Sequence, residues 1–143
     1  MTILHKLYDF AVPVEDLVDI FVLYIRSVVE SSAVVWHSSL SQGQELEIER
    51  VQRVALRIIL KEDYIDYESA LELCSLQSLS ERREQLCKTF AKKCTRNPKT
   101  SDMFPLNNIA YNTRNPEKYH VSHANTKRLA KSAIPYMQRL LNN

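Results

Sequence analysis

The sequence predicts an all-α protein: a bundle of about four helices with a long irregular C-terminal connection and a short terminal helix. Three observations support this fold class. Apolar residues in 44–61 recur at steps of three and four, the spacing of one helix face. The segment 17–29 is almost entirely apolar and is shorter than the ~20 residues that a membrane span needs. The chain of 143 residues contains one glycine, which argues against sheet-rich folds and against glycine-rich phosphate loops.

The first predicted helix begins near Pro13, because the fixed φ of proline suits a first helical turn. Residues 1–12 are expected to form a short lead-in. The apolar residues of 17–29 cover more than half of the helix surface, so we expect a buried helix that neighbours contact on several sides. Only a narrow strip is left to four other residues: Asp19, Leu23, Arg26 and Glu30. Residues 34–36 could extend this helix.

The second predicted helix covers residues 44–61, with Ser41 as a plausible N-terminal cap. One face is apolar and is formed by Ile48, Val51, Ala55, Ile58 and Ile59. At roughly 100° per residue, a row of cations falls within about 80° on the opposite side. This row consists of Arg50, Arg53, Arg57 and Lys61. One face therefore needs a core, and the other presents positive charge about once per turn.

A short third helix is predicted over 67–74 and a fourth over 79–95. Ser78 and Glu81 have the spacing of a capping box at the start of the fourth helix. A second cationic row on this helix consists of Lys88, Lys92 and Arg96, with Arg82 near its start. Arg83 falls on the apolar face, so we expect a buried or half-buried pair with a carboxylate.

The chain changes character over 97–125, where Asn, Pro, Thr and Ser dominate. Four residues could attach this connection to the core: Met103, Phe104, Ile109 and Tyr111. The last segment, 126–141, is expected to be a short helix broken by Pro135. We therefore predict a helical bundle over 1–96 and an irregular tail with a short C-terminal helix over 97–143.

Charge is distributed unevenly along the chain. Residues 1–81 carry six Lys/Arg and fourteen Asp/Glu, a net charge of −8, whereas residues 82–143 carry thirteen and three, a net charge of +10. A basic half suggests a polyanionic partner, although the two halves could equally neutralise each other.

The cysteines are Cys74, Cys87 and Cys94, an odd number without Cys-x-x-Cys spacing. We interpret them as reduced thiols in a helical core, which favours an intracellular location, nuclear or cytoplasmic. The first residues lack the basic start and long apolar block of a signal peptide. Neither a membrane span nor a cofactor is expected.

Five segments together resemble the region after the palm in reverse transcriptases of non-LTR (LINE-type) retrotransposons. They are 25–30 (IRSVVE), 35–40 (VWHSSL), 48–59 (IERVQRVALRII), 79–93 with its RR and LC pairs, and 132–136 (SAIPY). The pairing of Trp-His-Ser-Ser-Leu with Glu-Arg-Val-Gln is fairly specific, and the resemblance covers nearly the whole chain. The chain departs from the family at Ser31, where an aromatic residue is frequent, and at Ala11 and Ser75, where glycine is common.

The resemblance implies the thumb and post-thumb tail of an RNA-directed DNA polymerase, without the palm. The palm of that family carries paired aspartates that hold two metal ions, and this chain has no Asp-Asp pair. We therefore expect no enzyme activity from the chain itself. By resemblance, the thumb contacts the backbone of a template–primer duplex, through Arg50, Arg53 and Arg57 and more weakly through Arg82, Lys88 and Lys92. The cationic rows add Lys61 and Arg96 to the candidate nucleic-acid-binding residues.

Other readings of the sequence stay open. In one, the cations form a solvated helix face whose charge neighbouring glutamates neutralise. In another, the chain is a helical protein-interaction or self-association module. His120 and His123 with Cys87 and Cys94 could suggest zinc, but two cysteines seven residues apart on a helix are too distant for one metal ion. His37 beside Ser38 and Ser39 does not favour catalysis. Tyr111 and Tyr119 could stack on bases or anchor the loop.

Overall fold

The all-α prediction is confirmed by a computed structural model of the protein, which describes residues 1–107 and 118–143. The helices are α1 (Thr2–Asp9), α2 (Val14–Ile20), a π-helical segment (Phe21–Arg26), α3 (Ser27–Glu30), α4 (Ala33–Trp36), α5 (Gln42–Leu60), α6 (Tyr67–Leu73), α7 (Leu79–Arg96), α8 (Lys127–Ala130) and α9 (Ala133–Asn142). Short 3-10 turns cover His37–Ser39, Lys61–Asp63 and Ser101–Met103.

The chain folds into two compact units. The first contains Met1–Ser31 and Ser41–Arg82, and the second contains Ser32–Leu40 and Arg83–Asn143. This division differs from the boundary that composition suggests at 96/97. The first turn of α7 belongs to the first unit and the remainder to the second, so the change in composition after α7 does not mark the change in packing.

The core of the first unit joins α1, α2 and α5. Its buried residues are Leu4, Leu17, Phe21, Ala55, Ile58 and Ile59. A second cluster, Leu56, Leu60 and Ala70, joins α5 to α6, and Leu76 packs against both clusters. Residues 1–12 are therefore not the expected lead-in, because they contain a helix whose Leu4 is completely buried.

The helical run 14–30 is less buried than its composition predicts. Leu23, Tyr24 and Val28 are 65%, 70% and 73% exposed, whereas the side chains of Arg26 and Glu30 are only 13% and 11% exposed. The expectation of a helix contacted on several sides is therefore wrong. The π-helical segment accounts for the difference, because its i→i+5 hydrogen bonds place more residues in each turn than an α-helix does. The residues that follow it are therefore rotated relative to the positions that a period of 3.6 residues predicts.

The predicted caps of the long helices are confirmed. Ser41 Oγ accepts a hydrogen bond from Gln44 N at 3.4 Å, and Gln44 Oε1 accepts one from Ser41 N at 2.9 Å. α5 therefore begins at Gln42. Ser78 and Glu81 make the same reciprocal bonds, at 3.2 and 3.3 Å, at the start of α7. Each pair satisfies two backbone donors that a helix start leaves open.

Among residues 1–107 and 118–143, four residues other than glycine have positive φ: Ala11 at 57°, Ser32 at 54°, Lys61 at 43° and Ser75 at 51°. This left-handed backbone is costly for residues with a Cβ and favours glycine. Ser32 separates α3 from α4, so 34–36 form a separate turn rather than an extension of the preceding helix.

The core of the second unit consists of Cys87, Ala91, Phe104, Met137 and Leu140. Phe104 attaches the C-terminal connection to this core, as expected, whereas Met103 is 47% exposed. Ile109 and Tyr111 lie outside the described residues. All three cysteines are free thiols, and burial raises the pKa of Cys87 to about 11, with a further contribution from Glu84 that Arg83 opposes.

Pro135 does not break the terminal helix. α8 ends before Lys131 and α9 begins at Ala133, so Pro135 lies in the first turn of α9. A backbone N–H in the first turn has no partner inside the helix, and proline therefore costs nothing at this position.

Side-chain amides of α9 hold the irregular C-terminal connection in place. Gln138 is 1% exposed; its Nε2 donates to Met103 O at 2.7 Å and to Ser122 Oγ at 3.1 Å, and its Oε1 accepts from Ser122 N at 2.7 Å. Asn142 binds both the N–H and the C=O of Tyr119 at 2.9 Å. Backbone groups that no helix pairs are thereby satisfied.

Candidate nucleic-acid interface

The cationic row of α5 lies opposite the core of the first unit. Ala55, Ile58 and Ile59 are buried on one side, while Arg50 and Arg57 are exposed on the other. Arg53 is half-buried. Lys61 follows Leu60, the last residue of α5, and its backbone has positive φ. The chain therefore changes direction at the end of the row.

Three of these cations lie over tyrosine rings of the same unit. The guanidinium carbons of Arg53 and Arg57 are 4.9 Å and 5.3 Å from the ring centroids of Tyr67 and Tyr64. Lys61 Nζ is 3.6 Å from the centroid of Tyr8. Such cation–π contacts orient the charged groups without neutralising them.

Two exposed ion pairs also involve the row. Arg50 lies 3.7 Å from Glu47, and Lys61 lies 3.9 Å from Asp9. All four side chains are more than 40% exposed. Exposed pairs of this kind contribute about 0–1 kcal/mol, so they leave both cations able to exchange their partner for another anion.

Glu49 serves the fold rather than the cationic row. Its Oε1 accepts from Leu79 N at 2.9 Å and its Oε2 from Ser80 N at 3.1 Å, so a side chain of α5 caps α7. The hydroxyl of Tyr67 donates to the same carboxylate and accepts from Gln52 Nε2 at 3.1 Å. Burial, followed by the hydrogen bond and charge of Glu49, raises the pKa of Tyr67.

Arg82 is held inside the first unit. Its Nε lies 2.9 Å from Glu30 Oε1 and donates to Oε2 at 3.2 Å. Arg26 lies 3.8 Å from the same carboxylate, and burial followed by the charge of Arg82 lowers the pKa of Arg26. Arg82 therefore pairs with a carboxylate 52 residues away in the chain and stands apart from the row on α5.

The remaining candidate cations belong to the second unit. Lys92 and Arg96 are exposed, and Lys88 is half-buried. Lys92 and Arg96 line a cavity of about 450 Å³ together with Thr95, Lys118, Tyr119 and Leu141. Lys118 was not among the predicted site residues, because it stands alone in the C-terminal connection and only the fold brings it to α7. No local pattern in the sequence marks it.

Arg83 is completely buried in the second unit, as its place on the apolar face predicts. Its Nε donates to Nδ1 of His37 at 3.4 Å, and its guanidinium carbon lies 5.9 Å from the ring centroid of Trp36. The His37 ring meets Tyr136 edge-on, with centroids 5.5 Å apart. His37 therefore lies between Arg83 and Tyr136 in the second unit, and the carboxylate partner expected for Arg83 stays a prediction.

Within residues 1–107 and 118–143, no group of three or more His, Cys, Asp or Glu side chains could hold a metal ion. None of the helices in this described part of the chain is both long and apolar enough to cross a membrane.

Comparison of the chain with protein-family models, with curated proteins and with solved structures finds no match. The likeness to LINE-type reverse transcriptases accordingly rests on the sequence segments named above.

Proposed function

We propose that the chain is a non-catalytic, thumb-like segment of a retrotransposon RNA-directed DNA polymerase. Joined to its palm and fingers, it contacts the sugar-phosphate backbone of a template–primer duplex, RNA–DNA or DNA. The observation that carries this proposal is the exposure of Arg50 and Arg57 on one side of α5, whose opposite side is the core of the first unit.

The spacing of the α5 cations suits a nucleic-acid backbone. Arg50 and Arg57 are seven residues apart, or about 10 Å along the helix axis, which equals the axial rise of about three nucleotides of one strand. Tyr64 supports Arg57, and Tyr67 supports Arg53 between the two. Backbone contacts of this type give affinity without sequence choice.

The backbone of the first unit is compatible with the family resemblance. Ala11 and Ser75 are the two positions at which the family commonly has glycine. Both have positive φ here, at 57° and 51°, the conformation in which glycine has no steric cost. The departures from the family are therefore substitutions at positions whose backbone conformation favours glycine.

Reversing the exposed charges of α5 tests the proposal. Arg50→Glu with Arg57→Glu should weaken binding of a fluorescently labelled RNA–DNA duplex by at least about tenfold at low salt, and the slope of log K against log salt should fall in magnitude by about 2, because two phosphate contacts are lost. Fluorescence anisotropy across a salt series measures both quantities.

Lys127→Glu with Arg128→Glu is the matched control, since it makes the same charge change on exposed α8. It should leave most of the affinity intact. Circular dichroism melts verify that both variants fold. Equal losses in the two double variants would show that only net charge matters, and the α5 surface would then be abandoned.

A second candidate function rests on the exposed apolar residues of the 14–30 run. Leu23, Tyr24 and Val28 are each at least 65% exposed, and groups of exposed apolar side chains often mark contact surfaces. In this alternative the chain is a helical interaction or self-association module. Light scattering should then reveal a dimer that Leu23→Lys with Val28→Lys converts to monomer. A monomer at all concentrations speaks against self-association.

A further inference from the structure

The cavity at the C-terminal end of α7 has the composition of an anion site. Its lining is Lys92, Thr95, Arg96, Lys118, Tyr119 and Leu141, and its volume is about 450 Å³. Three of these six side chains are cationic and none is acidic. The volume lies within the usual range of small-molecule sites. A second cavity, of about 570 Å³, shares Thr95, Lys118 and Tyr119 with the first.

The cations of this cavity have no carboxylate partner in the part of the chain that the structure describes. Among the described residues, no carboxylate lies within ion-pair distance of Lys92, Arg96 or Lys118. Lys92 and Arg96 are one turn apart on α7, so they lie on the same side of the helix. Both are near the negative end of the helix dipole, which accounts for cations on α7 but not for Lys118, which comes from the C-terminal connection.

The backbone that carries Lys118 and Tyr119 is hydrogen-bonded to neighbouring segments of the second unit. Lys118 O accepts from Asn107 N at 3.0 Å. Asn142 binds the N–H and C=O of Tyr119, both at 2.9 Å, and Tyr119 forms an isolated antiparallel bridge with Leu106. A ligand therefore meets a prearranged wall, which reduces the entropy lost on binding.

We propose that this cavity binds a phosphate monoester, with the phosphate among Lys92, Arg96 and Lys118 and the organic portion against Tyr119 and Leu141. A monoester carries a charge of about −1.5 to −2 at pH 7, which three neighbouring cations match better than the single charge of a diester. The aromatic and aliphatic side chains suit a nucleoside. The same chemistry is offered by a free nucleoside monophosphate and by the terminal phosphate of a nucleic-acid strand.

Because the cavity belongs to the second unit, this inference does not rest on duplex binding by α5. The test uses the full chain and a 3′-labelled oligothymidylate with either a 5′-phosphate or a 5′-hydroxyl. We expect the phosphorylated strand to bind about tenfold more tightly at pH 7.5, a factor that corresponds to 1.4 kcal/mol. The preference should shrink at pH 5.5, since the second phosphate pKa is about 6.

Lys92→Ala with Lys118→Ala should reduce the preference for the 5′-phosphate to nearly one, and Lys127→Ala with Arg128→Ala is the matched control that should retain it. All four side chains are exposed, so the variants should fold, as circular dichroism melts will verify. Competition by adenosine monophosphate identifies the free nucleotide as the ligand; binding of the strand without such competition identifies the strand end. The proposal is overturned if the wild-type chain binds both strands with equal affinity. It is also overturned if the Lys92→Ala, Lys118→Ala variant keeps the preference for the 5′-phosphate.

Discussion

Each unit of this protein has one completely buried glutamine, and the two side chains are used differently. In the first unit, Gln52 on α5 is 0% exposed and donates to Tyr67 Oη at 3.1 Å and Gln77 O at 2.9 Å. Within the described part of the chain, its Oε1 has no hydrogen-bond partner. In the second unit, both ends of the Gln138 amide are bonded.

The difference reflects what each unit is made of. Gln52 bonds only one irregular backbone group, Gln77 O, and its other bond goes to the Tyr67 side chain. Gln138 binds the backbone of Met103 and Ser122, in stretches where no helix pairs these groups. Where regular structure ends, side-chain amides take over the pairing that buried backbone groups require.

The largest effect should follow from Gln138→Leu. This substitution removes three hydrogen bonds and leaves backbone groups of the connection without a partner, so we expect a loss of about 3 kcal/mol in the free energy of unfolding. Urea denaturation measures the loss. Gln52→Leu is the matched comparison and should cost about 1 kcal/mol, because the replaced amide was only half bonded. Equal losses would remove the distinction between the units.

Glu49→Ala should lower the free energy of unfolding by a smaller amount, about 2 kcal/mol. The variant loses the cap on Leu79 N and Ser80 N and the acceptor of the Tyr67 hydroxyl. Thermal denaturation followed at 222 nm measures the change. Glu45→Ala, on the same helix, removes a carboxylate of the first turn and is the control. If the control costs as much, the carboxylate of Glu49 has no special role in joining α5 to α7.

Alkaline pH should weaken the first unit through Tyr67. Its pKa is raised in the folded state, so its contribution to stability is fully present below the unfolded value of 10.0 and is lost as pH rises beyond it. Wild type should therefore lose stability more steeply above pH 10 than Tyr67→Phe. Denaturation at pH 8 and at pH 10.5 measures the difference in slope, and parallel pH profiles would contradict it.

The smallest expected effect is a gain. Ser75→Gly should stabilise the protein by about 0.5–1 kcal/mol, because glycine adopts the φ of 51° without the steric cost of a Cβ. Thr89→Gly, in the middle of α7, should instead lower the stability of the protein by about 0.5–1 kcal/mol. Thermal denaturation separates the two signs. A loss at Ser75 would show that the side chain contributes more than the backbone strain costs.

Much of the helical framework follows from local sequence. The periodicity of α5 predicts the buried Ala55, Ile58 and Ile59, and the capping boxes at Ser41 and Ser78 mark both long helices. These features depend on residues three or four apart, whose contacts are fixed once the helix forms. The same reasoning fails for 14–30, where a π-helical segment changes the number of residues per turn.

The candidate sites divide in the same way. Periodicity alone places Arg50 and Arg57 on the exposed side of α5. It could not show that Arg82 pairs with Glu30, or that Lys118 lines a cavity with Lys92 and Arg96. Each of these contacts joins residues more than twenty positions apart, and no short-range spacing predicts them.

The sequence by itself determined that the fold is all-α, which residues cap the two long helices and which side of α5 is cationic. The tertiary structure decided which of those cations keep an outward position, which residues of 14–30 are exposed and how Gln138 and Asn142 hold the C-terminal connection. The physical reason is the range of the interactions. Helix hydrogen bonds and caps link residues within one turn, whereas ion pairs, buried amides and cavities depend on segments that meet only after the chain has folded.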